Sequence, residues 1–460
     1  QVVSFIFITV MVGAIPAKLL KIESKHSASN FLLFSTAFSI FLIMFIGFLT
    51  NEFLSFLGNL HPLSTWHLLL SLNCFTFGVY FISRLKKDKR KDYFQENKSQ
   101  KIPPWILTVI ALPLLSIVGC FTINQGGNNF LILLSIITVC IFIFAFTFKW
   151  KNKHLTNFSS LLLFTISISL FLQSSLVTDY IVGHDIYEEF YVFSITNNNM
   201  FWNSSFSSEL TSIARVNDML SVTILPTVYC RLLNVDGNLV FKFLYPYILS
   251  WLVIGLYEFY SILFNKKESF LSVFFYTTNN VVLWLFSCRQ IVAELFYIVL
   301  FILFIDNNLR PSVKKICYLI FGLALVVSHY SMAYIFMFLV SCVYIYDLLL
   351  KKTERKIQLS QILIIFVFSF TWYMYTCSAA AFKDLLNTLN FIYRNFLNDF
   401  FRAEARETMV ISALGGGEIY SFWNIFGRLL FYLSEFFIVI GVGMLVINKI
   451  KGRILNSLFK

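Results

Sequence analysis

Charge is scarce in this sequence. Asp, Glu, Lys and Arg make up 13% of the residues, against roughly 25% in an ordinary soluble domain. With 58% hydrophobic residues, 18% aromatic residues and a mean hydropathy of +0.75, an ordinary soluble fold is excluded. Cysteines at metal-binding or redox spacing are lacking as well. The eight present contain no CxxC, so neither a zinc site nor a redox motif is suggested. Most fall inside apolar runs, where cysteine is a small packing residue. Walker A, dinucleotide-binding, HExxH and GxSxG signatures are all missing, so ATP-driven transport by this chain alone is not expected.

Long apolar runs are what the sequence has in quantity. About thirteen recur, over 2–16, 30–49, 65–83, 104–121, 129–148, 157–177, 239–263, 270–287, 290–305, 316–330, 332–350, 358–377 and 425–448. Their lengths suit tilted helices crossing a hydrocarbon core of about 30 Å. Backbone exposed to lipid must satisfy its own hydrogen bonds, and continuous rather than alternating runs favour helices over a barrel. The fold class is therefore all-α, a polytopic transmembrane bundle. The pair 316–330 and 332–350 could be one bent helix. The chain opens at Gln1 already inside an apolar run, so part of an N-terminal segment is expected to precede it.

The net charge of +12 could suggest nucleic acid, but basic residues in a polytopic protein collect in cytoplasmic loops. Segments 17–28, 84–101, 149–154, 265–268, 306–315, 351–357 and 449–460 hold 27 of the 36 Lys and Arg. All seven fall on one side of the alternating scheme, which makes that side cytoplasmic. The outer side receives two long segments, 178–238 and 378–424, the only ones with room for much mass outside the bilayer.

Within the first lies "DYIVGHDIYEEFYVFSITNNN", residues 179–199. Asp185, Glu188 and Glu189 share a face if this stretch is helical. Such crowding calls for a cation, a metal or a hydroxyl substrate, and it can raise one pKa as a general base requires. The plainer alternative is a solvated acidic loop. Against it, Ile186, Tyr187, Phe190, Tyr191 and Phe193 would hold the segment to the membrane surface. "SVTILPTVY", 221–229, is too short to span and contains Pro226, so it reads as an interfacial or re-entrant helix. Arg215 and Asp218 are spaced for a helical pair.

Further on, "FSCRQIVAELF", 286–296, sets Arg289 at the outer boundary and Glu294 inside a span, where ionisable residues usually face a cavity or a partner. Arg289 could grip a phosphate with its fork of donors, or pair structurally with Glu294 or Asp185. "VVSHYSMAYIF", 326–336, breaks an apolar stretch at His329 and Tyr330, on the same side as Asp185. In 378–424, Leu385, Leu386, Leu389, Ile392, Phe396 and Phe400 have helical spacing with Arg394, Arg402 and Arg406 nearby, the pattern of a helix lying on lipid. Gly415, Gly416 and Gly417 then form a flexible turn.

The motifs "PLSTWHLLLSLN", "YIVGHDIYEEFY", "LSVTILPTVY", "RQIVAELF" and "VVSHYSMAYIF" occur in the order seen in an archaeal family of predicted polytopic membrane proteins, domain of unknown function 2206, which the chain resembles from the first span to about residue 350. That family looks related to the C superfamily of membrane-embedded glycosyltransferases. The resemblance implies a polyprenyl-phosphate-linked sugar donor, inversion at the anomeric centre and an outer-face acidic residue, here Asp185 and Glu189 of a Gly-x-Asp-Ile-x-x-Glu pattern. His184 and Tyr187 stand where the family has an aromatic residue and often a histidine. The superfamily carries its acidic loop after the first span. About six spans precede it here, so residues 1–156 read as added N-terminal helices and 157–460 as the core.

Together these readings give an integral protein of the cell membrane with its site facing outside. Asp185, Glu188 and Glu189 are the expected catalytic residues, and Arg289, His329, His184, Tyr330 and Glu294 the expected substrate contacts. A divalent metal is possible. The partners are the bilayer, the lipid-linked sugar and a glycan or protein acceptor, with no nucleic acid. The rival readings are a non-catalytic subunit that scaffolds or passes envelope polymers, or a secondary transporter.

Overall fold

The computed structural model describes residues 1–22, 27–85, 105–148, 158–183, 185–208, 210–282, 287–306, 308–350, 357–399, 402 and 421–450. All the regular structure among them is helical: α1 (Val2–Leu19), α2 (Ala28–Phe56), α3 (Thr65–Leu85), α4 (Trp105–Asn124), α5 (Phe130–Phe148), α6 (Ser159–Leu176), α7 (Asp185–Asn199), α8 (Thr211–Asn217), α9 (Ile224–Leu233), α10 (Gly237–Leu263), α11 (Lys266–Val282), α12 (Cys288–Ile305), α13 (Pro311–Ser328), α14 (Tyr330–Leu349), α15 (Leu359–Tyr375), α16 (Ala380–Asp399) and α17 (Phe422–Ile450). Eleven helices among the described residues are long and apolar enough to cross a membrane, and the broken pair Leu359–Tyr375 and Cys377–Phe396 would make a twelfth. The protein is thus an integral membrane protein built as a helical bundle. The expected run at 270–287 lies in α11, whose described residues end at Val282. The runs at 316–330 and 332–350 are two helices, each of spanning length, that meet at His329 in extended conformation (φ −161°, ψ 116°).

The helices divide into two compact units, Gln1–Phe382 and Lys383–Lys460. In the first, α2, α6, α10 and α12 are the most buried spans, while α3 and α5 turn most of their apolar surface outward. That outward surface suits lipid, which is as apolar as the side chains it touches. Helix association in such a medium depends on close fit and small residues. Gly13 shows this. Its amide donates to Ser39 Oγ at 2.7 Å, just beyond a π-helical turn at Phe7–Met11. A Cβ on Gly13 would collide with the Ser35 carbonyl oxygen and the Ser39 amide nitrogen of α2.

The segment between α6 and α10 folds against the ends of the spans. Asn51 of α2 exchanges two hydrogen bonds with the Trp202 backbone, at 2.8 and 2.9 Å. The Leu220 amide and the Ser221 hydroxyl donate to the Val327 and Ser328 carbonyls, at 2.8 and 2.9 Å, and so satisfy groups that the end of α13 leaves without partners. The Cys377 amide donates to Ser204 O at 2.7 Å, and Trp202 stacks on Trp372 with centroids 5.9 Å apart. Every connector in these contacts is one that the charge pattern assigns to the side opposite the basic segments. The short helix α9 is buried among protein helices rather than lying on lipid. Its ten residues are too few to span, at about 1.5 Å each.

In the second unit α17 is apolar along its length and largely exposed. The stretch carrying Leu385, Leu386, Leu389, Ile392 and Phe396 is helical in α16, as its spacing predicts. Phe400, Arg406 and Gly415–Gly417 lie outside the described residues.

Replacing Gly13 by Ala is expected to lower the thermal midpoint of the purified protein by the equivalent of about 1–3 kcal/mol, the usual cost of overpacking. Gly78 of α3 has open space around it, and Gly78→Ala should leave the midpoint unchanged or slightly raised. Thermal unfolding of both variants in one detergent checks the contrast.

Candidate functional site

The acidic stretch begins with a turn. Gly183 adopts φ 142°, a region that side chains disfavour, and α7 starts two residues later at Asp185. Acids in its first turn face the positive end of the helix dipole. Phe190 and Phe193 close a three-ring cluster with Phe241 of α10, with centroids 5.2–5.4 Å apart. Ile186 is also buried, while Tyr187 and Tyr191 are exposed. The aromatic residues of this stretch therefore split: one group anchors α7 to the bundle and the other faces out.

Asp185 and Glu189, one helical turn apart, meet Arg289 of α12. Arg289 Nη2 donates to Asp185 Oδ2 at 2.9 Å, and its Nε lies 3.5 Å from Glu189 Oε1. The side-chain exposures differ widely: 7% for Arg289, 48% for Asp185 and 0% for Glu189. Glu189 also receives the Ser287 hydroxyl at 3.0 Å, the Cys288 amide at 2.7 Å and the Arg289 amide at 3.5 Å. These are the amides that open α12, so Glu189 caps that helix from another segment of the chain. Burial pushes its carboxyl up to about 7, while Arg289 and the donors of residues 287–289 pull the other way. Arg289 Nη1 is buried with no hydrogen-bond partner among the described residues.

His329 completes the group from the α13–α14 junction. Its Nδ1 accepts the Met332 amide at 3.5 Å and so caps α14, which leaves the ring proton on Nε2. Burial holds the imidazole down at about 3, with Arg289 and Arg215 adding to the effect and Asp185 opposing it. The ring is therefore neutral at physiological pH, between two guanidinium charges. Tyr330 stacks beside it at 5.3 Å, and Arg215 of α8 lies over the Tyr330 ring at 5.2 Å. The helical spacing of Arg215 with Asp218 in the sequence gave no hint of that placement. Asp218 is fully buried, and burial pushes it up to about 6 against the side chains of Cys377 and Thr376.

The fold thus gathers Asp185, Glu189, Arg289, His329 and Tyr330. Glu188 is half-buried on α7. Glu294 lies one turn deeper in α12 and binds Gln290 at 2.8 Å and the Tyr276 hydroxyl at 3.5 Å. His184 lies outside the described residues. No three His, Cys, Asp or Glu side chains among the described residues form a group able to hold a metal ion. A small cavity of about 30 Å³ adjoins the cluster, lined by Ser174, Ser175, Ile186, Lys242, Tyr245 and Cys288 among others, and not by Asp185, Arg289 or His329. Chemically, the arrangement offers a buried cation for an anionic group, a half-exposed carboxylate beside it and a neutral imidazole.

Removing Glu189 strands Arg289 and the start of α12 at once. Glu189→Ala should cost about 3–5 kcal/mol, as for other broken buried pairs, whereas Asp185→Ala should cost at most about 1 kcal/mol. Denaturation of the two variants in detergent tests this difference.

His329 gives a pH signature. Its folded value of about 3 lies below the ordinary 6.5, so between these values the unfolded chain takes up a proton that the folded chain refuses. Its contribution to stability is complete above about 6.5 and declines as the pH falls toward 3. His329→Asn retains a side chain able to cap α14 but does not titrate. The loss of thermal midpoint between pH 6.5 and 4 should be shallower in that variant than in the parent.

Residues 314–456 match the model of a family described as a predicted membrane protein (DUF2206). The matched stretch includes His329 and Tyr330 and lies mainly C-terminal to the motifs that carry the resemblance. No curated protein and no solved structure matches the chain.

Proposed function

We propose that this protein is a membrane-embedded glycosyltransferase that takes sugar from a polyprenyl-phosphate carrier at the outer face of the cell membrane. The observation that carries the reading is the pairing of buried Arg289 with half-exposed Asp185, in segments that the charge pattern assigns to the side opposite the basic connectors. A lipid-borne phosphate presents oxygens at that depth with its chain among apolar helices. The excess of Lys and Arg on the opposite connectors supports the outward orientation, and the enzyme class rests on the resemblance to the C superfamily of membrane-embedded glycosyltransferases.

In this reading the hydroxyl or amide of a glycan or protein acceptor attacks C1 of the sugar. The bond from C1 to the phosphate oxygen breaks, and its electron pair stays on the phosphate. Asp185 takes the acceptor's proton as the new glycosidic bond forms. Arg289 neutralises the charge that gathers on the leaving phosphate, and His329 can donate its Nε2 proton in a hydrogen bond to a phosphate oxygen. Glu189 acts through Arg289 and α12 as a positioning residue. Glu188 is the reserve carboxylate, and Tyr330 and Glu294 shape the surroundings.

The test is transfer from synthetic polyprenyl-phosphate sugars by purified protein. Asp185→Asn should lower turnover by about 100-fold or more, the range that a positioned base supplies. Undiminished transfer in that variant would remove Asp185 as the base. Absence of transfer by the parent across a panel of donors would favour a non-catalytic membrane subunit.

A further inference from the structure

Arg289 holds two carboxylates that differ in the property that governs exchange. Glu189 is wholly buried, and its oxygens take the first amides of α12 and the Ser287 hydroxyl. It cannot leave without stranding those donors. Asp185 is 48% exposed and bonds to one nitrogen of the guanidinium, Nη2, at 2.9 Å. The neighbouring Nη1 is buried with no hydrogen-bond partner among the described residues. A guanidinium is a two-pronged donor, and a phosphate can engage both prongs at once. The resting pair with Asp185 therefore leaves unused a donor that a phosphate would use.

We infer that the phosphate of the carrier lipid enters by displacing Asp185 from Arg289, so that Asp185 is the place-holding anion of the resting site. This deepens the transferase reading and rests on it for the identity of the ligand. The exchange forms and breaks no covalent bond. It trades one Nη2–carboxylate contact for a phosphate on Nη1 and Nη2, next to the neutral ring of His329. It also gives the order of events a physical cause. Before the donor binds, Asp185 is tied to a cation. Once the phosphate holds Arg289, the carboxylate is released toward the acceptor.

The consequence runs against the usual effect of removing a catalytic acid. Loss of the Asp185 charge removes a competitor, so phosphate should bind more tightly as transfer is lost. The measurement is the affinity of the full chain in nanodiscs for farnesyl phosphate and, separately, for inorganic phosphate. Asp185→Asn and Asp185→Ser should each bind about 5- to 30-fold more tightly than the parent, and Arg289→Gln should bind at least tenfold more weakly. Asp179→Asn, an equal change of charge in the same outer segment, should shift affinity by less than about twofold. The same order with both probes identifies the phosphate head alone as the ligand, and the order with farnesyl phosphate alone identifies a lipid-borne phosphate. Either result supports the exchange. Equal or weaker binding by both Asp185 variants, retained binding by Arg289→Gln, or no binding by any variant overturns it. Tighter binding by Asp185→Asn together with full transfer would instead remove Asp185 as base and leave the exchange standing.

Discussion

A guanidinium buried at the end of a membrane helix sets the terms for everything around it. Arg289 is nearly closed off from solvent, and a charge so placed costs several kcal/mol unless it is paired and hydrogen-bonded. Glu189 meets that demand and a second one together. The amides that open α12 have no partners within their own helix, and the same carboxylate takes them. One side chain of α7 thereby fixes both the charge and the start of α12. Asp185, one turn earlier on the same face, meets the guanidinium from its exposed edge. In the proposed reading, chemistry falls to Asp185 because structure has already claimed Glu189.

The same economy of polar groups governs the rest of that end of the first unit. Carbonyls where α13 stops are satisfied by Leu220 and Ser221, and His329 caps the helix that follows. The connection between α6 and α10 is therefore a structural layer that closes the ends of the spans. It is held by aromatic contacts such as Trp202 on Trp372 and Phe193 on Phe241. Elsewhere the bundle relies on close contact between helices, as at Gly13 against α2, because lipid offers no hydrophobic incentive for one apolar helix to prefer another.

Much of this was legible residue by residue. The apolar runs located the helices. The spacing of Asp185 and Glu189 put both on one helical face, and Arg289 with His329 was expected beside them. Other features were not readable. Nothing local marks Glu189 as the cap of a helix about 100 residues away, since a cap supplied from another segment leaves no motif at the helix it serves. Arg215 read as a partner for Asp218, but its place over Tyr330 depends on how α8 folds back across the α13–α14 junction. The short α9 showed only that it cannot span, and its burial comes from the packing of α2, α7 and α10 around it.

By itself the sequence determined that this is a helical membrane protein and where its apolar helices lie. Hydrophobic length and loop charge are properties of the chain, and the bilayer reads them without reference to tertiary contacts. Only the tertiary structure decided which carboxylate is committed and which is available. That choice depends on solvent access and on donors brought from distant helices. Two acids of like chemistry four residues apart cannot differ in those respects until the bundle closes around one of them.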